Sequence, residues 1–167
     1  ASIAEAIRML LRPERFTGDD LFRYEGVYHS FSHHGRFSSP SETECLANIN
    51  RRLFDSAGTI REARRMILTF GTAWAYRLRS SGKVVSNCHK LPEKMFERQL
   101  LTVGEIVDEW KSLLLSLWEQ NPELKLLFTV SPIRHWKDGA HGNQLSKATL
   151  LLAIDALQKE FPEHTAY

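Results

Sequence analysis

Three stretches of the chain concentrate side chains able to do chemistry. The first follows an apolar run, Leu126-Leu127-Phe128-Thr129-Val130, which stops abruptly at Ser131-Pro132-Ile133-Arg134-His135, with Trp136, Lys137, Asp138 and His141 close behind. A guanidinium offers a fixed fork of donors, so Arg134 suits an anionic or polar substrate group. Ser131 and His135 add a hydroxyl and an imidazole. The second stretch is Asn87-Cys88-His89. Asn87 offers an amide donor, and Cys88 would be a nucleophile only if a base lowered its pKa. Neighbours in extended chain point to opposite faces, so Cys88 and His89 make a poor pair, and a structural thiol is the preferred reading. The third is Tyr28 to Ser38, which holds His29, Ser30, His33 and His34 among aromatics. The spacing of His29 and His33 would suit a metal on a helix, but Ser30, Ser32 and Gly35 leave no helical face. A pocket-lining aromatic loop is the better expectation.

These groups need elements to hold them. Four segments carry helix signals. Ser2-x-x-Glu5 reads as a capping box before Ile3, Ile7, Leu10 and Leu11, up to Pro13. Ser41-x-x-Glu44 opens a second helix that ends near Gly58. Thr102-x-x-Glu105 opens a third, which stops before Pro122. The fourth spans about Asn143 to Glu160, with Leu145, Ala148, Leu152 and Leu157 expected inward. A short turn starts at Pro92, a favoured first helical residue. Met66 to Phe70 and Leu126 to Val130 have the length and continuity of strands buried on both faces. Lys83-Val84-Val85 is a third strand candidate, and a fourth strand begins after Pro162. Residues 17–40 show no period and read as a long ordered loop. The order is helix, strand, hairpin-like insert, long helix, strand, helix, strand start, which predicts α/β with a mostly parallel sheet.

In open parallel sheets, ligands bind beyond the carboxyl ends of the strands. Strand ends at Phe70 and Val130 would deliver Gly71-Thr72 and Ser131 to one edge. A glycine there lets backbone amides approach a substrate oxygen closely, as an oxyanion hole requires.

Composition narrows the function. The chain has 167 residues, 43% hydrophobic and 25% charged, which suits one globular domain. Net charge is +2 with scattered basic residues, so no nucleic-acid partner is expected. No apolar run approaches the roughly 20 residues of a membrane span. Two cysteines without metal-type spacing favour a reduced, cytoplasmic setting. There is no Gly-x-Ser-x-Gly elbow and no phosphate-binding glycine loop. Ser131 precedes proline, so it does not sit on a nucleophile's strand-to-helix turn. Six of the seven histidines are expected outside helices, His141 among them, which leaves a metal-dependent enzyme as a third reading.

In order along the chain, "SIAEAIRMLL", "HSFSHHGRFS", "LTFGTAWAYR", "NCHKLP", "TVSPIRHWKDGAH" and "LSKATLLLAIDAL" closely resemble the GSCFA-domain family of bacteria. The family is named for an N-terminal Gly-Ser-Cys-Phe-Ala motif and is similar to the SGNH (GDSL-like) hydrolases. That resemblance implies a three-layer α/β/α, flavodoxin-like fold and acyl-ester hydrolysis or transfer through a serine. It implies a single domain over 1–167, cut at both ends. The serine would precede Ser2, and an Asp-x-x-His pair would follow Tyr167. Gly71 and Thr72 match the superfamily's Leu-Gly-Thr-Asn-Asp block. Ala73 stands at its asparagine and Trp74 at its aspartate, so the usual amide donor is missing. Gly71 and Asn87 are then the oxyanion candidates. Thr72, His89, Ser131, Arg134, His135, His29, Ser30 and His34 are the substrate-binding candidates. The expected substrate is a small-molecule or glycan ester, with no metal and no cofactor. A non-catalytic carbohydrate or small-molecule binding domain of the same fold is the second reading, favoured by Ala73.

Overall fold

Each of the four helical periods forms a helix. The structure is a computed structural model that describes every residue except His135. In chain order the elements are α1 (Ser2–Leu11), β1 (Phe22–Tyr24), β2 (Val27–His29), α2 (Glu42–Glu62), β3 (Arg65–Phe70) and β4 (Trp74–Leu78). Then come β5 (Val84–Val85), β6 (Phe96–Leu100), α3 (Val103–Gln120), β7 (Lys125–Val130), α4 (Gly139–Glu160) and β8 (Thr165–Ala166). The protein is a mixed α/β chain. It divides into two units: Ala1 with Glu62–Ala75 and Arg98–Tyr167, and Ser2–Arg61 with Tyr76–Glu97.

The first unit holds a parallel sheet of order β3-β7-β8. Strands β3 and β7 run in register from Arg65↔Lys125 to Phe70↔Val130, so both end at the same level. Side chains of a strand alternate between faces. Leu68 and Phe70 on β3, and Leu126 and Phe128 on β7, point into the core. There Trp110 of α3 packs against Phe70 and Phe128, with centroids 5.0 and 5.6 Å away. Helix α4 packs against α3 and β7 and buries Leu150, Ala153, Ile154 and Leu157.

The opposite face is open, which corrects the expectation of strands buried on both sides. Ile67 is 67% exposed, Leu127 is 38% exposed, and Thr69 pairs with Thr129 through their hydroxyls at 2.8 Å. Continuous apolar sequence therefore conceals an alternating burial pattern.

The caps turn out differently from one another. Thr102 and Glu105 form a complete box: Oγ1 of Thr102 accepts from Glu105 N–H at 3.2 Å, and Oε2 of Glu105 accepts from Thr102 N–H at 2.7 Å. Ser41 accepts from Glu44 N–H, but the Glu44 carboxylate takes the Ser39 hydroxyl instead of closing the box. Ser2 is already inside α1, and Glu5 pairs with Arg8. Helix α4 begins earlier than expected, so His141 is helical. Its inward face is also displaced. Leu145 and Leu152 are 47% and 58% exposed and Ala148 is exposed, whereas Ser146 is buried.

In the second unit, residues 17–40 are not one irregular loop. They contain the β1–β2 hairpin, closed by Glu25 and Gly26 at φ 48° and 80°. Two consecutive positive φ angles are what a tight two-residue hairpin turn demands. The insert after β3 pairs β5 antiparallel to β4, in a sheet of order β5-β4-β6. Val85, Leu91 and Phe96 form a small core, against which Phe22, Phe31, Tyr76 and Cys88 pack. Asn50 is buried and clamps the chain at Phe16 through both its backbone N–H and its carbonyl.

Candidate functional site

The register of β3 and β7 brings Gly71 and Ser131 out side by side at one sheet edge. Ser131 N–H donates to the Phe70 carbonyl at 2.8 Å, extending the pairing one step past the strands. Helix α4 then supplies two polar residues to this edge. The Lys147 ammonium donates to the carbonyls of both Gly71 and Ser131, the latter at 2.7 Å. Burial pushes the Lys147 pKa down from its ordinary value. The buried Ser146 hydroxyl lies 2.9 Å from Thr72 Oγ1 and accepts from Ala73 N–H at 2.8 Å. Thr72 Oγ1 also accepts from Trp74 N–H.

These bonds give Gly71, Thr72 and Ser131 defined jobs. Thr72 and Ser146 lock the turn after β3. Ser131 Oγ accepts from Ile133 N–H at 3.3 Å and so holds the turn over Pro132. Arg134 is exposed, with its guanidinium 5.9 Å from the Trp136 ring centre. His135 lies outside the described residues. At the far end of the loop, the Asp138 carboxylate is gripped by both terminal nitrogens of Arg98. Arg98 in turn stacks on Trp74 at 3.8 Å. A bidentate, charge-assisted pair of this kind fixes direction as well as distance. Trp74 is therefore a platform for a guanidinium.

The remaining candidates lie in the second unit. His29 Nδ1 and Ser38 Oγ are 2.7 Å apart, and His33 Nδ1 and Ser30 Oγ are 3.0 Å apart. His89 Nε2 donates to the Ser30 carbonyl at 2.8 Å, and since a carbonyl only accepts, that nitrogen carries the proton. The His29 and His89 rings are 4.6 Å apart, with Phe22 beside both. Asn87 Oδ1 accepts from His89 N–H at 2.9 Å and stabilises the left-handed backbone of His89, φ 49°. His34 Nδ1 caps a short turn through Arg36 N–H. Ser30 is buried at the centre of this network. Among the described residues, no group of three or more His, Cys, Asp or Glu side chains is placed to hold a metal ion. The imidazoles serve instead as hydrogen-bond and stacking partners.

Burial pushes the His33 and His89 pKa values below the ordinary value of 6.5, and neighbouring imidazoles lower both further. For His89 the Ser30 carbonyl works in the opposite direction. The unfolded chain, with ordinary imidazoles, then binds more protons than the folded one below about pH 6.5. The stability contribution is present in full above that pH and is lost as pH falls through the lowered folded values. We expect the urea midpoint to drop between pH 7.5 and 5.5, and to drop less in a His33→Gln variant. An equal drop in both would show that His33 does not carry the effect.

Sequence pattern assigns no role to Lys147, Ser146 or Arg98, and Asp138 enters only as a member of the dense stretch after β7. Their partners lie far along the chain or are backbone atoms. The helical phase expected from the sequence puts Leu145 and Ala148 inward, which leaves Ser146 and Lys147 off the core face.

A parallel sheet with polar groups gathered at its carboxyl edge defines an α/β protein of the strand-end type. The chain belongs to the GSCFA family, whose model matches residues 1–167. No curated protein and no solved structure matches the chain.

Proposed function

We propose that the chain is part of a three-layer, flavodoxin-like domain of SGNH type that hydrolyses or transfers an acyl ester on a polar substrate, glycan esters included. The observation that carries this reading is the direction of the Gly71 N–H. The Phe70 carbonyl accepts from Ser131, so it points toward β7. The peptide is trans and planar, so the N–H of Gly71 points the opposite way, off the outer edge of β3. Strand β3 ends the order β3-β7-β8, so this donor faces the side where a further parallel strand would lie. In the reading the resemblance implies, that strand delivers the serine of the Gly-Ser-Cys-Phe-Ala motif. The serine oxygen attacks the ester carbonyl carbon, and Gly71 N–H donates to the oxygen that gains the negative charge. The histidine of an Asp-x-x-His segment takes the serine proton and returns it to the leaving alcohol. The exposed Ile67 and Leu127 are the apolar residues a second helical layer would cover.

A second reading has its own observation. Ala73 is buried and its N–H is taken by Ser146, so the position of the superfamily's asparagine offers no donor. A binding domain of the same fold would tolerate that loss.

Treating the full-length protein with a fluorophosphonate probe separates the two. The hydrolase reading expects a single modified serine, located by mass spectrometry in the upstream motif. A folded protein that takes no label, yet binds a sugar in a calorimeter, belongs to the second reading.

A further inference from the structure

We propose that the second unit carries a binding cleft for a small polyanion, a molecule with two or more carboxylate or phosphate groups. The cleft has a volume of about 600 Å³, within the range typical of small-ligand sites. It lies between α1 with the segment after it and the β4–β5 hairpin. Arg12 and Arg15 line one side, and Arg77 and Lys83 the other.

Charge balance is what marks it. Among the described lining residues, five are basic and three acidic: Arg8, Arg12, Arg15, Arg77 and Lys83 against Glu5, Glu14 and Asp20. Glu5 is paired with Arg8, and Asp20 accepts from Thr17. The Thr17 donors are neutral and leave the Asp20 charge in place, so Glu14 and Asp20 face the other four cations, a surplus of two positive charges. Among the described residues, Arg12, Arg15 and Lys83 have no ion pair, and Arg77 meets only the Gly82 carbonyl at 3.3 Å. Arg15 rests over the Phe54 ring. Like charges lining a concave wall raise the local potential and favour an anion of matching size.

The other walls limit what that anion is attached to. Met9, Phe16 and Val84 supply a modest apolar floor, enough for the ring of a sugar or a short carbon chain. A nucleic acid fits less well. Among the described lining residues Phe16 is the one aromatic, and its ring already meets His33 edge-on at 4.9 Å. Strands of bases need successive stacking platforms and an extended basic track.

Calorimetric titration of the full chain at about 50 mM salt tests this, where surface charges are weakly screened. The probes are trigalacturonate, fructose 1,6-bisphosphate, neutral maltotriose and a twelve-residue oligothymidylate. The expected result is binding of at least one acid tighter than about 1 mM, weakening with salt, with none for maltotriose. Binding of the uronate alone assigns carboxylates, and of the bisphosphate alone assigns phosphates. Arg12→Glu with Lys83→Glu should weaken the bound acid at least about tenfold with an unchanged urea midpoint. Arg12→Gln with Lys83→Gln, a milder change at two exposed positions, should weaken it in the same direction. The proposal is overturned if neither acid binds, if the variants bind as tightly as the parent, or if the oligonucleotide binds more tightly than both acids.

Discussion

Replacing Asp138 with alanine should lower the stability of the first unit by about 3 kcal/mol. Removing one partner of a buried ion pair costs more than the pair contributes, because the other charge stays buried. The side chains of Arg98 and Asp138 are 23% and 10% exposed, so the cost falls at the low end of the range for buried pairs. The guanidinium cannot turn away easily, because it is stacked on Trp74 at 3.8 Å. Asp138 also sits where α4 begins, and Gly142 one turn on has no room for a side chain: a Cβ there would lie 2.7 Å from the Asp138 Cβ. Asp138→Asn keeps the shape and loses the charge, so it should fall between alanine and the parent. Urea unfolding of the three proteins gives the measurement. A loss under about 0.5 kcal/mol for alanine would place the pair among surface ion pairs of no consequence.

Lys147→Met should cost about 2 kcal/mol and, under the proposed hydrolase reading, slow ester turnover by the full-length protein at least about tenfold. The methionine keeps most of the stem and removes the donor. Two carbonyls, of Gly71 and Ser131, then lose a charged partner at the sheet edge. The Ser131 bond to the Phe70 carbonyl still orients the Gly71 N–H, but with the Gly71 carbonyl released the peptide after it loses its anchor and the turn around the donor loosens. The effect should fall on kcat more than on KM, since an oxyanion donor acts mainly in the transition state. Stability lost with turnover intact would make Lys147 a structural clamp and nothing more.

The parts of the fold legible in the sequence were those set by local chemistry. Thr102-x-x-Glu105 forms the expected box, and the two apolar runs are strands β3 and β7. The phase of α4 was misread for a physical reason. Its first half turns Ser146 inward to serve the strand ends and leaves Leu145 outside, and the same phase carries Leu152 to the solvent side while Leu150, Ala153 and Ile154 face the core. The β1–β2 hairpin had a signal in Glu25-Gly26, but strands of three residues are too short to show a period. The candidate site was legible only in part. Gly71, Thr72 and Ser131 followed from the strand-end rule. Lys147 did not, because its acceptors are backbone carbonyls 76 and 16 residues away. Arg98 lies 40 residues from Asp138, on a strand whose alternation is mostly polar.

The most direct test of the Gly71 assignment is a proton–nitrogen NMR spectrum of the full-length protein before and after reaction with a fluorophosphonate. The phosphonyl oxygen then occupies the position of the oxyanion. An oxyanion role for Gly71 predicts a downfield shift of its amide proton, larger than that of Thr72 or Ala73, as it takes a hydrogen bond to the strongly polarised phosphonyl oxygen. An adduct that leaves the Gly71 amide unmoved would contradict it.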